Sequence, residues 1–308
     1  MNKKAKVITP PIPKEARIIC ISDIHGYLDL LEIALEKVKF TDSDILLILG
    51  DLYTKGPRGS ETLNYIIELS SRDNVYVIRG NSDWLDDNLS DSEREWLENL
   101  PHIIETDDYI FVHGGLTSSD LSEQEAERCM KNDAFMEQDV KFDKYIVTGH
   151  WPTINYCHEI PCHNPIINEE KRIIAIDGGT IKKGGQLNVF IIEDGKFSFQ
   201  STDALPEYRV EKSQSESGGT LNVTWNDRYI EMIEEGAEFS VCRHLPSGKT
   251  LSIPNAAIWT DSDGKLCASN ISTDYHLAVN EGETVSVEMR FSDRMFTKKN
   301  GTSGWVLL

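Results

Sequence analysis

Asp23 and His25 in SDIHG, Asp51 in GDLYTKG, Asn81 in RGNSD, His113 in VHGG and His150 in GHWP each stand at the end of a short apolar run. Carboxylate oxygen, imidazole nitrogen and amide oxygen form the donor set of borderline divalent metals such as Mn, Fe, Zn, Co or Ni. No cysteine lies among the six, which argues against a structural zinc knot. Taken singly, an Asp or Asn after a strand reads as a turn residue or helix cap. Five such clusters in succession read as a metal site.

Residues of this kind need elements that deliver them to one edge. The runs ARIICISDIHG, DILLILGD, NVYVIRGN, DYIFVHGG, KYIVTGH and RIIAIDGG are rich in Ile, Val or Tyr and end in small, charged or imidazole-bearing clusters. Continuous runs suit strands buried on both faces and covered by helices. Helix-like stretches lie between them, such as YLDLLEIALEKV, with Leu31, Ala34, Leu35 and Val38 at helical spacing, and SETLNYIIELS. The carboxyl edge on which the polar groups gather is where open α/β sheets bind ligands. The composition changes after about residue 205: SQSESGGT, residues 213–220, reads as a linker or exposed loop, and EFSVCRH, TLSIPNAAIW, YHLAVN and TVSVEMRF read as short strands of a small all-β domain over 216–308.

A length of 308 residues favours two units. The formal charge of -20 opposes non-specific binding to nucleic acid or to an anionic membrane. Cys20, Cys129, Cys157, Cys162, Cys242 and Cys267 are scattered, which predicts free thiols and a reducing, cytoplasmic setting. The start, MNKKAKVITPPIPKEA, has no apolar stretch of signal-peptide length, and no run approaches a membrane span, so a soluble protein without membrane contact is expected.

The ordered motifs SDIHG, GDLYTKGPRG, RGNSD, VHGG and GHWP, with IAIDGGT and GGQL behind them, resemble the calcineurin-like metallophosphoesterases over about residues 16 to 200. The nearest likeness is to the bacterial phosphoprotein phosphatase and diadenosine tetraphosphate hydrolase branch. The resemblance implies an α/β fold over residues 1–205, a two-sheet β-sandwich flanked by helices, ahead of the small all-β domain. It also implies dinuclear hydrolysis of phosphate esters by a metal-bridging hydroxide. The two divalent ions, Mn or Fe first and Zn, Ni or Co as alternatives, would sit about 3.5 to 4 Å apart. Asp23 and His25 would bind the first, Asp51 would bridge both, and Asn81, His113 and His150 would complete the second. Metallophosphoesterases outside the branch often carry a second histidine two places after the one matching His150; Pro152 stands there in this chain, as in the phosphatase branch.

The chain departs from the branch where leaving groups are handled. The family patterns GD-x-x-D-R-G and G-N-H-E are replaced by Gly50-Asp51-Leu52-Tyr53-Thr54-Lys55-Gly56 and Gly80-Asn81-Ser82-Asp83. The family's candidate proton donor and the aspartate that orients it are thus replaced by Ser82 and Thr54. General acid catalysis contributes about 10²- to 10⁴-fold and matters most for poor leaving groups such as a serine alkoxide. The substitutions therefore shift the expected chemistry toward aryl phosphates, phosphodiesters and pyrophosphate bonds. Lys55 keeps the charge of the family's phosphate-binding arginine without its bidentate fork. Arg58 either compensates or is a solvated surface residue, and DAFMEQDVKF lacks the second family arginine.

Three functions follow. Phosphoprotein-phosphatase-like hydrolysis stands first by motif, phosphodiesterase or nucleotide pyrophosphohydrolase second by chemistry, and a catalytically weak metal-dependent binding protein third. The expected substrate is a phosphorylated protein or nucleotide, with the β domain making a partner or oligomer contact. The loop YCHEIPCHNP, residues 156–165, offers His158 or His163 as a replacement proton donor, against the plain reading of a polar loop. Its Cys157, His158, Cys162 and His163 match no common zinc spacing. His102 reads as a surface or capping residue and Asp83 as a turn carboxylate before an outer partner of the metal ligands. Trp84 and Trp96 read as packing residues around an acidic helix.

Overall fold

A computed structural model describes residues 3–83 and 88–308; Trp84 lies outside the described residues. The chain divides into two compact units, one of Met1–Thr153 with Asn164–Asp203, the other of Ile154–His163 with Ala204–Leu308.

The first unit contains strands β1 (Val7–Ile8), β2 (Ile18–Ile21), β3 (Ile45–Ile48), β4 (Val75–Val77), β5 (Ile103–Glu105), β6 (Tyr109–Val112), β7 (Tyr145–Thr148), β8 (Ile166–Asn168), β9 (Ile173–Ala175), β10 (Leu187–Glu193) and β11 (Lys196–Thr202). Its helices are α1 (Leu28–Lys37), α2 (Gly59–Leu69), α3 (Asp91–Asn99) and α4 (Ala126–Met130). One sheet runs β11-β10-β2-β3-β4 and the other β1-β5-β6-β7-β9-β8. The six apolar runs of the sequence are β2, β3, β4, β6, β7 and β9, with β2-β3-β4 parallel in one sheet and β6-β7-β9 parallel in the other.

Successive side chains of a strand point to opposite faces, and these strands use both. Ile19, Ile21, Leu46 and Ile48 pack with Leu31, Ala34 and Leu35 of α1 and Leu63 and Ile66 of α2. Ile18, Cys20, Ile45 and Leu47 pack instead with Ile104, Phe111, Val147 and Ile174 of the second sheet. Unbroken apolar runs are therefore required, because a polar residue at any of these positions would enter one core or the other. The edge hairpin of β10 and β11, which the sequence analysis did not single out, turns at Asp194 and Gly195, both with positive φ (51° and 68°), as a tight two-residue turn demands.

The second unit is all β apart from short turns. Glu207–Arg209, Thr284–Arg290, Arg294–Lys299 and Thr302–Leu307 form one sheet, and Ile230–Glu234, Phe239–His244 and Thr250–Pro254 form another. One reading of this region changes: YHLAVN makes isolated bridges at His276 and Val279 rather than a continuous strand. The Ser/Gly stretch is a mostly exposed loop of the unit, anchored at Gln214, which pairs with Val279 through the backbone and whose side-chain amide donates to the carbonyls of Leu277 and Trp305. All six cysteines are free, and no described helix is long and apolar enough to cross a membrane.

Candidate metal centre

The six predicted ligands all follow parallel strands of the first unit: Asp23 and His25 after β2, Asp51 after β3, Asn81 after β4, His113 after β6 and His150 after β7. Asp23, His25, Asp51 and His150 have φ between 50° and 66°, a left-handed conformation rarely adopted by residues bearing a Cβ. The loops approach so closely that glycine is required beside them. A Cβ at Gly80 would lie 2.2 Å from the Asp51 nitrogen, and one at Gly149 would lie 1.7 Å from Ser22 Oγ.

Asp23, His25 and Asp51 each offer a ligand atom within 4.8 Å of the other two, and all three are buried. His25 Nε2 lies 3.7 Å from Asp23 Oδ1 and 3.4 Å from Asp51 Oδ2, while its Nδ1 is buried without a partner. Burial lowers the pKa of His25, against the pull of both carboxylates, and so favours the neutral ring a metal requires. Two carboxylates around an imidazole with an unpartnered nitrogen suit a divalent cation. Asp23 also accepts from Ser22 Oγ and, at 2.9 Å, from the His150 backbone N–H.

His113 is fully buried. Its Nδ1 donates to the Leu49 carbonyl at 2.6 Å, which directs Nε2 toward Asp51 Oδ1 at 3.2 Å and Asn81 Oδ1 at 3.1 Å. Burial opposes its protonation, but the Asp51 charge wins and raises His113 to about 10. Reciprocally, and also against burial, His113 and His25 hold Asp51 well below the usual carboxylate range. His150 commits Nε2 to Asp133 Oδ1 at 2.7 Å, which leaves Nδ1 for a metal.

Three further acids shape the site. Asp83 is buried and accepts the backbone N–H groups of Asp51 (3.0 Å), Leu52 (2.7 Å) and Gly80 (2.7 Å), so it is more than a turn residue: it fixes the main chain that carries Asp51. Burial and the Asp51 charge raise Asp83 to about 7, against the pull of those donors. Asp177, at the end of β9, is buried and raised well above its usual value, first by burial and then by Asp23. It repeats the strand-end pattern of the ligands, and the quoted IAIDGGT would have revealed it. Asp133 is exposed and carried no sequence signal.

Asp83→Ala strips three backbone donors of their acceptor. Unfolding stability is expected to fall by roughly 3 kcal/mol, and Mn affinity by about 10- to 100-fold. Urea unfolding and calorimetric titration check both; an unchanged Mn affinity would limit Asp83 to a structural role.

The other sequence candidates have varied surroundings. Lys55 joins the centre, with Nζ 3.9 Å from Asp51 Oδ2. His158 belongs to the second unit, where Nδ1 meets Asp227 Oδ2 at 3.2 Å, and the buried His163 belongs to that unit too. Cys157 faces the Cys162 carbonyl, and burial pushes its thiol up to about 12, away from the thiolate that metals bind. Arg58 pairs with Asp29 and, at 2.7 Å, with Glu61 on the surface. His102 is a correction: it is buried, accepts the Lys6 N–H at 3.0 Å, and is lowered to about 4, first by burial. Trp96 packs, partly buried, against the helix-side core.

A symmetrical bis(5'-nucleosyl)-tetraphosphatase from Buchnera aphidicola is 44% identical over 64 residues, 20% of this chain and 22% of its own. One from Pseudomonas fluorescens is 29% identical over 151 residues, 41% of this chain and 51% of its own. The matches thus span about a fifth to a half of these relatives. A solved protein serine/threonine phosphatase from Saccharomyces cerevisiae, with 13% identity, aligns over 68% of this chain and 86% of its own at a TM-score of 0.48. The profile of the calcineurin-like phosphoesterases matches residues 16–179, just over half of the 308, a range that includes all six candidate ligands. The chain therefore belongs to the calcineurin-like phosphoesterase family.

Proposed function

We propose that this chain hydrolyses phosphoric esters and anhydrides whose leaving group departs as a stable anion, with nucleotide pyrophosphates and phosphodiesters ahead of alkyl phosphomonoesters. The observation that carries this reading is Ser82. It is fully buried, and its Oγ accepts from Lys55 Nζ at 2.6 Å, so a hydrogen-bonded serine occupies the place where a proton donor would be expected. The partial matches to symmetrical bis(5'-nucleosyl)-tetraphosphatases support the same class. Phosphoprotein-phosphatase-like monoester hydrolysis is the second reading, favoured by the order of the motifs.

Asp23, His25, Asp51, Asn81, His113 and His150 would hold two divalent ions, Mn or Fe first and Zn, Ni or Co as alternatives. Bound ions would supply Lewis-acid polarisation of the phosphoryl oxygens and acidification of water. The chain supplies their alignment. Asp83 holds the Asp51 backbone, the Leu49 carbonyl sets the His113 tautomer, and Asp133 orients His150. The free cysteines suit a reducing cytoplasm.

With Mn-loaded protein, kcat/KM for bis(p-nitrophenyl) phosphate, a phosphotyrosine peptide and a dinucleoside tetraphosphate should exceed that for a phosphoserine peptide by about 10²-fold or more. A preference for phosphoserine would reject the reading in favour of the second.

A further inference from the structure

Ser82 engages every polar group it has. Its N–H donates to Asp51 Oδ1 at 2.7 Å, its carbonyl accepts from Thr54 Oγ1 at 2.6 Å, and its Oγ accepts from Lys55 Nζ at 2.6 Å and Asn81 Nδ2 at 3.2 Å. One buried residue thus ties two candidate metal ligands to a lysine ammonium. Lys55 is itself held at φ 77°, a conformation uncommon for a residue with a Cβ, which the surrounding bonds must maintain.

Lys55 and Thr54 line a cavity of about 350 Å³ together with Ser60, Asn88, Leu89 and Glu93. That volume is at the lower end of small-molecule sites and suits one nucleoside or aryl group. The Lys55 side chain is 35% exposed and the Asp51 side chain 3%, so Lys55 spans from the buried carboxylate to the lining of the cavity.

We propose that Ser82 is a positioning residue that holds the Lys55 ammonium between the metal centre and this cavity, where Lys55 stabilises the charge developing on the substrate's leaving oxygen. This rests on the phosphoester-hydrolase reading and names how that site handles its leaving group. A water oxygen forms a bond to phosphorus and gives up its proton to solvent. The bond from phosphorus to the leaving oxygen breaks with its electron pair remaining on that oxygen. The resulting anion is paired by Lys55 and later takes a proton from solvent. A fixed cation aimed at developing charge needs no proton transfer of its own. Thr54 and Ser82 are then the mounting of a lysine rather than failed versions of an acid pair.

The test is a series of methyl aryl phosphates, from p-nitrophenyl to phenyl, hydrolysed by the Mn-loaded full chain. The leaving-group pKa rises along the series to about 10 for phenol. Lys55→Met is expected to lower kcat about threefold for the p-nitrophenyl ester and about 10²-fold for the phenyl ester. Ser82→Ala should show the same slope with smaller losses, and the double variant should be no worse than Lys55→Met, because the two act as one unit.

A second readout does not depend on turnover. p-Nitrophenol bound to the Mn-loaded protein should ionise at lower pH than the free phenol by optical titration; Lys55→Met should abolish that difference and Ser82→Ala should reduce it. A loss equal for every leaving group, carried in KM, would make Lys55 an anchor for the phosphoryl group and overturn the proposal. So would additive losses in the double variant. If the unaltered protein hydrolyses no member of the series, the phosphoesterase reading itself fails. Thermal midpoints followed for each variant separate these outcomes from misfolding.

Discussion

Asp51→Asn is expected to lower kcat by at least about 10³-fold with Mn and substrate saturating, a loss of about 4 kcal/mol of transition-state stabilisation. Asp51 is central in both position and charge. Its Oδ1 meets His113 Nε2 and the Ser82 N–H, its Oδ2 faces His25 Nε2 and Lys55 Nζ, and the His113 charge above all holds it ionised against burial. The amide keeps the size, and its oxygen can still accept from Ser82, so the main chain should hold its shape. What goes is the negative charge that would join two cations. Steady-state kinetics with far-UV circular dichroism as a control decide the matter; turnover within tenfold of the original would remove Asp51 from the centre of the mechanism.

Metal uptake at pH 7.5 is expected to release about one proton, chiefly from His113, and to raise the thermal midpoint by roughly 10 °C at metal concentrations near a thousand times Kd. In the metal-free protein His113 donates through Nδ1 to Leu49 and faces Asp51 and Asn81 through Nε2, and it stays protonated up to about pH 10. A metal taking Nε2 must displace that proton. The sign follows from the raised value. The stability contributed by the charged ring is complete below about pH 6.5 and is lost as pH rises toward 10. Chelation should therefore destabilise the protein more at pH 9.5 than at pH 6, while Mn affinity increases with pH. Calorimetry in buffers of different ionisation enthalpy counts the proton; a count near zero would place the metal on other atoms.

The strands and ligands were legible because one physical requirement produced both signals. A strand buried on two faces has to be apolar throughout, so the first charged residue after it stands out, as Asp23 does after IICIS and Asp51 after ILLILG. The supporting acids lacked such contrast. Asp83 sits among turn formers, and its role depends on backbone groups 31 and 32 residues away. Asp133 reaches His150 across 17 residues from an exposed position. The membership of Ile154–His163 in the second unit arises from pairings such as that of His158 with Asp227, 69 residues on. Ser82 was legible as a departure but not as a support, since a side chain's partner across 27 residues is not written in its neighbours.

Asp23, His25, Asp51, Lys55 and His150 are half of the described non-glycine residues with positive φ. Each such conformation costs on the order of 1 kcal/mol or more relative to glycine. In these loops the residue easiest for the backbone and the residue needed for the chemistry are different residues. Their shape is therefore imposed by the two surrounding cores rather than encoded in the motifs themselves. A motif transplanted without that frame would carry the right letters and relax into the wrong geometry, so the smallest transferable unit of this site is the sandwich that bends it.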